Sequence, residues 1–167
     1  RKCFTRNQAL AESTAALILY LDQDIALAKG TIDRLRRQIR PGWFIGLRRV
    51  MLDEASSERV LQRADDGRSL DFQRLRIRSL MLRLEGSRYL LPLRSRGCRG
   101  EPQDWRGMAS FGLLAFRRDL IDVDGWDKRF DEHYYAEDLD LFARLEHHGV
   151  KPAFASRRCT AFHLFHE

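Results

Sequence analysis

The chain has 167 residues, of which 44% are hydrophobic and 32% are charged. This is the balance of one soluble globular domain, and it excludes a disordered, collagen-like or membrane-embedded chain. The longest apolar runs, residues 15–21 and 108–116, are shorter than the roughly 20 residues of a membrane-spanning helix. The net charge of +6 favours an anionic partner such as nucleic acid, a membrane face or a phosphorylated small molecule, although the arginine excess also fits a GC-rich genome.

Cysteine usage and the start of the chain bear on the compartment. Cys3, Cys98 and Cys159 are odd in number and form no C-x-x-C pair, which argues against a disulfide framework and against a zinc site. The sequence opens at Arg1 and shows no charged stretch followed by an apolar run, so no signal peptide is present in it. We expect reduced thiols and a protein in the cytoplasm or bound peripherally at the cytoplasmic face of a membrane.

The first third of the chain predicts an α/β unit. Residues 8–16 are good helix formers, and residues 17–21 form an apolar run of buried-strand length. Residues 31–39 have the spacing of an amphipathic helix, which Pro41-Gly42 ends. A second strand is predicted over residues 43–52.

The remaining two thirds differ in how clearly they can be interpreted. In the middle of the chain, residues 54–105, the pattern at residues 74–78 is compatible with either a helix or a strand. Residues 94–106 are rich in Gly, Arg and Pro, which predicts a loop. The last third is clearer, with a short strand, two helices and two further short strands predicted over residues 111–116, 117–123, 137–147, 153–155 and 160–165. This alternation indicates an α/β domain.

The sequence Asp-x-Asp occurs three times and is a weak motif by itself. Only Asp22 and Asp24 directly follow an apolar strand, which is where ligands bind in open α/β sheets. Neighbouring carboxylates repel each other unless a cation neutralises them, and oxygen ligands together with a phosphate suit Mg²⁺ or Mn²⁺. The alternative interpretation is an acidic turn that caps the next helix.

A second acidic pair, Glu137-Asp138, stands at the predicted start of the helix over residues 137–147. A rotation of 100° per residue places Asp138 on the apolar side of this helix, while Asp140 and Arg144 form an i,i+4 pair on the other side. An inward carboxylate at a helix N-terminus is commonly a cap; its rarer use is as a general base in a cleft. Both interpretations are kept.

Two histidines, His163 and His166, flank Leu164-Phe165 near the end of the chain. Imidazole is the usual nitrogen ligand of a transition metal, and His-x-x-His places one ring or both near a shared ion, depending on the local backbone. Histidines close to a terminus are more often surface residues. Their interpretation therefore depends on what lies next to them in the fold.

Several segments occur in an order that is more specific than any of them alone. They are Thr5-Arg6-Asn7-Gln8-Ala9-Leu10-Ala11, Leu17 to Asp24 (LILYLDQD), Phe111-Gly112 through Phe116-Arg117-Arg118-Asp119, Gly125-Trp126-Asp127, Phe130-Asp131-Glu132, Glu137-Asp138-Leu139-Asp140-Leu141-x-x-Arg144-Leu145 and Phe162-His163-Leu164-Phe165-His166. In this order and spacing they resemble the inverting glycosyltransferases of family 2, and most of all their C-terminal galactosyltransferase-type subset.

The resemblance implies an α/β fold of the GT-A type, a Rossmann-like fold of nucleotide-diphospho-sugar transferases. The family's first βαβ unit, which holds the base and ribose of the donor, would precede Arg1, so the fold is expected to be N-terminally incomplete. A single partial GT-A domain would then span residues 1–167. Its donor and metal side would be residues 1–53, its variable middle residues 54–107 and its acceptor side residues 108–167.

The resemblance also implies an activity, that of a hexosyltransferase-type enzyme of polysaccharide biosynthesis. The donor would be a nucleotide-diphospho-sugar, with a UDP-sugar expected, and the acceptor a hydroxyl of a glycan or of a lipid-linked glycan. Transfer would invert the anomeric carbon and require Mn²⁺ or Mg²⁺. No nucleic-acid partner is expected, whereas a peripheral contact with an anionic membrane face is compatible with the arginine excess.

On the donor side, the resemblance carries roles over to six positions. Arg6 and Asn7 would lie beside the nucleotide, and Asp22 would face its ribose or the water shell of the metal. Asp24 would ligate the divalent cation that bridges the two phosphates. His163, and after it His166, would be further ligands of the same metal.

On the acceptor side, Asp138 would be the general base that deprotonates the acceptor hydroxyl. Glu137 would contact an acceptor hydroxyl, Trp126 would stack on a sugar face, and Gly112 would belong to the same acceptor-binding block. The competing hypothesis is a non-catalytic basic module that binds polyanions or glycans. In that case Asp24, His163 and Asp138 would be scattered over the surface instead of lining one cleft.

Overall fold

The computed structural model describes residues 1–70, 72–91, 98, 101–132 and 136–166. Within them, the α-helices are α1 (Lys2–Glu12), α2 (Thr31–Gln38), α3 (Glu54–Asp65), α4 (Phe72–Met81), α5 (Arg117–Asp122) and α6 (Glu137–His147). The strands are β1 (Leu17–Leu21), β2 (Ile25–Ala26), β3 (Trp43–Gly46), β4 (Arg49–Met51), β5 (Gly112–Phe116), β6 (Lys151–Phe154) and β7 (Ala161–His163). The chain is therefore an α/β protein, as predicted.

The strands form two mixed sheets. The first has the order β1-β5-β3-β6, in which β5 runs antiparallel to both of its neighbours and β3 is parallel to β6. The second has the order β2-β7-β4, with β7 antiparallel to β2 and parallel to β4. Within the described ranges, β1 has a paired strand on one side only, so it forms one edge of the first sheet.

The first sheet is covered on both faces. Because side chains alternate along a strand, Phe44 and Leu113 enter one buried cluster, whereas their neighbours Ile45 and Leu114 enter another. Helix α6 covers the first face, with Phe142 stacked on Phe44 at a ring distance of 5.5 Å. Helix α2 covers the second face, and a third cluster joins α3 and α4 to the second sheet.

The strand predicted over residues 43–52 is two strands in the structure. β3 pairs in the first sheet and β4 in the second. The chain passes between them at Leu47, whose N–H donates to the carbonyl of Gly112 and whose side chain covers that glycine. A continuous strand was the wrong prediction because hydrophobicity does not show at which residue a chain changes sheets.

The first helix lies earlier than the predicted residues 8–16. Helix α1 begins at Lys2 because the carboxylate of Asp131 accepts hydrogen bonds from the free N–H groups of Cys3 and Phe4, at 2.7 and 3.1 Å. It ends where Ser13 is extended. A cap from a residue so distant along the chain leaves no local signal, so the boundary could not be predicted.

The ambiguous stretch 74–78 belongs to helix α4. In the loop predicted over residues 94–106, Trp105–Gly107 contributes one turn of 3₁₀ helix, while residues 94–97, 99 and 100 lie outside the described residues. All three cysteines are buried and free. In the part of the chain that the structure describes, no helix has the length and apolar character needed to cross a membrane.

A single carboxylate, that of Asp53, begins α3 and joins it to α4. It accepts a hydrogen bond from the N–H of Ser56 at 3.3 Å and another from the guanidinium of Arg78 at 3.0 Å. The side-chain hydrogen bond with Ser56 is the main reason why the pKa of Asp53 lies below its usual value, and Arg78 and the N–H of Ser56 add to the effect. The charged form of Asp53 therefore stabilises the folded state.

We expect Asp53→Ala to lower the free energy of unfolding by about 1 kcal/mol at pH 7, the typical value of an N-cap. The stabilisation is fully present above the unfolded-state pKa of about 3.9 and is lost as the pH falls through the lower folded-state pKa. Urea denaturation at pH 7 and near pH 3 measures the free energy of unfolding of the parent and of Asp53→Ala at each pH. Asp53→Asn, which retains a capping oxygen, is the control; equal stability of all three proteins at pH 7 contradicts the assignment.

Candidate functional site

The two acidic residues after β1 lie in a tight turn. Strand β1 ends at Leu21, and the N–H of Ile25 then donates to the carbonyl of Asp22 at 3.2 Å, which returns the chain into β2. The N–H of Asp22 donates to the carbonyl of Phe111 at 3.2 Å. The turn that carries Asp22 and Asp24 is thus fixed to the start of β5.

The end of the chain returns to this turn through the second sheet. His163, the last residue of β7, lies opposite Ile25 on one side and Met51 on the other. The N–H of the next residue, Leu164, donates to the carbonyl of Asp24 at 2.8 Å. Backbone pairing on both sides of β7 therefore positions His163 beside Asp24.

Asp24, His163 and His166 form one cluster. The Nε2 atom of each histidine lies 3.2 Å from Oδ2 of Asp24, and one ligand atom from each residue lies within 4.8 Å of the other two. Two atoms bound at right angles to one ion, each at about 2.1 Å, are about 3.0 Å apart. The two Nε2–Oδ2 distances therefore match those of ligands that share a metal ion.

The residues of this cluster fit a divalent metal chemically. The second carboxylate oxygen of Asp24, Oδ1, is buried and has no hydrogen-bond partner among the described residues, and such an oxygen is costly unless a cation or its bound water satisfies it. Without an ion, an imidazole N–H would donate to Asp24 instead. Two imidazoles and one carboxylate suit Mn²⁺, and also the softer, nitrogen-binding metals of the same row, better than an ion that prefers all-oxygen ligands, such as Mg²⁺.

The two histidines are unequal in exposure. The side chain of His163 is 10% exposed and that of His166 is 61% exposed. A buried ligand is held in place by its surroundings, whereas an exposed one must lose side-chain freedom to bind. His163 is accordingly the stronger candidate ligand of the two, in agreement with the order that the resemblance implied.

Asp138 lies in the first turn of α6 and is half-buried. Its Oδ2 accepts a hydrogen bond from the N–H of Ser110 at 3.2 Å, and its Oδ1 accepts one from the N–H of Leu139 at 2.9 Å. Asp140 forms the expected pair with Arg144, at 2.6 Å. The carboxylate of Asp138 is therefore held in one orientation next to the segment that leads into β5.

Arg6 connects the two acidic regions. Its guanidinium lies 3.3 Å from the carboxylate of Asp22 and 3.8 Å from that of Glu137. Lys2, one turn earlier on α1, lies 3.8 Å from the same oxygen of Glu137. Glu137 is 8% exposed, so these two cations compensate a charge that burial would otherwise make unfavourable.

Trp126, Asn7 and Gly112 make close contacts within the protein. Trp126 is 1% exposed, and the guanidinium of Arg6 covers its ring at 4.3 Å, so no ring face is open to a sugar. Both polar atoms of the Asn7 side chain bind the backbone of Trp126, at 2.7 and 2.8 Å. Gly112 is buried, and the side chain of Leu47 lies so close to it that a Cβ at this position would be 2.5 Å from a Leu47 atom.

Two chains of contacts link the turn that carries Asp24 to the first turn of α6. In the turn that holds Asp24, the N–H of Asp22 donates to the carbonyl of Phe111. The residue before Phe111 is Ser110, whose N–H donates to the carboxylate of Asp138. Arg6 makes a second connection, from Asp22 to Glu137. The turn that carries Asp24 and the start of α6 are therefore linked by two short chains of contacts, although they are far apart along the sequence.

Sequence reasoning missed two features of this region. Ser110 has no motif around it, and its role comes from its backbone N–H, which any residue except proline provides. Ala136, directly before α6, has a φ of +85°, a conformation that is unfavourable for a residue with a Cβ and is often found at functional sites. No sequence signal predicts a positive φ at an alanine.

Comparison with known proteins adds no family assignment. No protein-family model matches the chain, and a search of the curated proteins found no match. The function proposed below therefore depends on the geometry of the site and on the resemblance of the motifs.

Proposed function

We propose that this protein is a metal-dependent inverting glycosyltransferase with a GT-A fold. The observation that carries the proposal is the convergence of Asp24, His163 and His166, from opposite ends of the chain, on a shared set of ligand atoms. The proximity of Asp138, through Ser110 and Phe111, supports it further. A site that pairs a metal with a separate carboxylate suits a reaction that needs both.

The reaction needs a base because a sugar hydroxyl is a weak nucleophile. Asp138 would accept the proton of the acceptor hydroxyl as that oxygen attacks the anomeric carbon, from the face opposite the departing nucleoside diphosphate. Asp24, His163 and His166 would hold Mn²⁺ or Mg²⁺, which when bound stabilises negative charge on the leaving diphosphate. One displacement at the anomeric carbon gives inversion.

The other functional residues would act by position and charge. Arg6 lies near both Asp22, proposed to be on the nucleotide side, and Glu137, proposed to be on the acceptor side. It would therefore hold these two carboxylates in a fixed position relative to each other. In the proposed division, residues 1–53 form the donor and metal side, residues 54–107 the variable middle and residues 108–167 the acceptor side. The donor is proposed to be a UDP-sugar and the acceptor a glycan or lipid-linked glycan, at the cytoplasmic face of a membrane.

The competing hypothesis of a basic polyanion-binding module is less well supported. A polyanion presents many charges in a row, so binding it requires many available cations along one surface and not a single anion pocket. Around a cavity of about 1040 Å³ lined by α1, α5 and residues 123–129, Arg117, Arg129 and Arg144 already bind a carbonyl or a carboxylate of the chain. The clustering of Asp24 with both histidines also goes against the scatter that this hypothesis predicts.

The proposed function is tested by a donor screen. The protein is incubated with sugars of uridine, guanosine and thymidine diphosphate, with Mn²⁺, with Mg²⁺, with Zn²⁺ or with a chelator, and the release of nucleoside diphosphate is measured. We expect slow hydrolysis of one donor class, and binding of that donor detectable by calorimetry, only when a divalent metal is present. If no donor binds more tightly with metal than with chelator, the proposed function is wrong.

A further inference from the structure

A second cavity lies beside the site and is lined by arginine. Its volume is about 340 Å³, and its charged lining residues are Arg48, Arg49, Arg88 and Glu85. Three positive charges and one negative charge leave a net +2 at its walls. A cavity of this size is at the lower end of the range of about 300–1,000 Å³ that is common for ligand sites.

Arg49 is the cation with the least compensation in this cavity. Its guanidinium stacks on the ring of Phe111, 4.8 Å from the ring centre. Within the described residues, no carboxylate lies within ion-pair distance of it, and it has no hydrogen-bond acceptor. A stacked guanidinium presents its N–H edge sideways, where it can bind two oxygens of one anion.

Arg48 is held in a similar way on the neighbouring wall. Its guanidinium lies 4.0 Å from the ring centre of Phe154 and donates to the carbonyl of Ala155 at 3.2 Å. Two guanidinium groups that are each stacked on an aromatic ring lose less side-chain freedom when a ligand binds than free arginines do. The cavity is therefore organised before a ligand arrives.

The facing wall is fixed against β4. The N–H of Met51 donates to the carbonyl of Glu85 at 3.0 Å. Gly86 has a φ of +77°, and a Cβ there would lie 2.2 Å from the carbonyl oxygen of Arg49, so only glycine allows this approach. The close contact brings Arg88 to the rim of the cavity.

The position of the cavity relates it to the acceptor side. Phe111 lines it, and the preceding residue, Ser110, donates to Asp138. Met51 also lines it and lies opposite His163 in the second sheet. The cavity thus contacts one residue that neighbours His163 in the sheet and one that precedes β5 next to Ser110, the partner of Asp138.

We propose that this cavity binds a phosphate group carried by the acceptor, with Arg49 as its main contact and Arg48 and Arg88 as additional cations. The assignment of the phosphate to the acceptor rests on the proposed glycosyltransferase function, while the binding of phosphate rests on the cavity alone. The phosphate would be borne by a lipid headgroup or by a soluble sugar phosphate, since both present the same tetrahedral oxygens to the guanidinium groups.

The first experiment measures binding of inorganic phosphate by calorimetry in metal-free buffer that contains a chelator. We expect saturable binding that Arg49→Ala and Arg88→Ala each weaken at least tenfold, while Arg36→Ala, at an exposed site on α2, leaves it unchanged. Thermal melts by circular dichroism show that each variant is folded, and Arg88 is exposed enough for its substitution to be tolerated. Equal phosphate binding by the parent and both cavity variants overturns the proposal.

A second arm separates the cavity from the donor site. Asp24→Ala is expected to retain the phosphate binding of the parent, and addition of UDP with Mn²⁺ is expected to leave it unchanged. If UDP with Mn²⁺ blocks phosphate, the cavity belongs to the donor and the proposal is wrong. If instead metal-dependent donor binding fails while Arg49-dependent phosphate binding persists, the proposed function fails and the anion site remains.

The source of the phosphate is determined with vesicles and a soluble ester. Vesicles of phosphatidylcholine with phosphatidylglycerol are compared with vesicles of phosphatidylcholine alone, and glucose 1-phosphate is titrated in parallel. If Arg49→Ala abolishes binding to the anionic vesicles, the phosphate is carried by a lipid. If Arg49→Ala abolishes only the binding of glucose 1-phosphate, the phosphate is carried by a soluble acceptor. Retention of both in Arg49→Ala overturns the proposal.

Discussion

Asp24→Ala is expected to abolish high-affinity binding of Mn²⁺. Asp24 supplies the only carboxylate of the cluster in the described residues, and its Oδ2 lies 3.2 Å from both imidazoles. Residues that merely orient a metal ligand change affinity by roughly 10–100-fold, so loss of a ligand should exceed that range. Mn²⁺ affinity is measured by calorimetry or by the electron paramagnetic resonance signal of free Mn²⁺.

The histidines provide graded comparisons for this prediction. His163→Ala should reduce Mn²⁺ affinity more than His166→Ala, because His163 is buried and His166 is largely exposed. His147→Ala, at the C-terminal end of α6, removes an imidazole outside the cluster and should leave the affinity unchanged. Mn²⁺ affinity that survives Asp24→Ala shows that the metal binds elsewhere.

Asp138→Asn is expected to lower sugar transfer by about 10²–10⁴-fold, the usual contribution of a general base. The amide oxygen of asparagine can still accept the hydrogen bond from the N–H of Ser110, whereas the amide nitrogen cannot accept the one from the N–H of Leu139. The substitution therefore removes the proton acceptor and one local hydrogen bond but keeps the size of the side chain. Binding of the donor, which is proposed to depend on Asp24, should stay unchanged. Initial rates of transfer and the donor Kd, measured on the same preparation, give both values.

Asp140→Asn is the matched control for Asp138→Asn. It makes the same chemical change on the same helix, at a carboxylate that pairs with Arg144 and that lies outside the proposed site. We expect it to lower stability slightly and to leave the transfer rate per folded molecule within about twofold, since Asp140 is not assigned to the reaction. Equal rates for Asp138→Asn and the parent show that another group accepts the proton.

The elements that the sequence predicted well are those with strong local signals. Residues 17–21 form β1 and residues 137–147 form α6 with the predicted bounds, and α2 ends within one residue of its prediction. β1 is a continuous apolar run, and α2 and α6 each have a regular apolar spacing with a proline or a glycine shortly beyond the last turn. Helix α1 and the break between β3 and β4 depend instead on Asp131 and Gly112, which local patterns cannot include.

The candidate site likewise has some features with a local sequence signal and others that depend on residues distant along the chain. The place of Asp24 after a buried strand can be predicted from local sequence, and a strand that includes His163 makes its fixed position plausible. The burial of Trp126 cannot be predicted in this way, because it depends on Arg6 and Asn7 from another helix. Arg49 gave no sequence signal either: its significance comes from Phe111, which reaches it only through the folding of two sheets against each other.

The edge position of β1 has a consequence for assembly. Asp22 and Ala16 are hydrogen-bonded to the strand across from them, so in this antiparallel register the residues bonded to β5 are the even-numbered ones. The N–H and C=O groups of Leu17, Leu19 and Leu21 consequently point away from β5, at intervals of about 7 Å. An additional strand can pair with these groups. A proline introduced at Leu19 would hinder this pairing without removing a hydrogen bond that the sheet now uses.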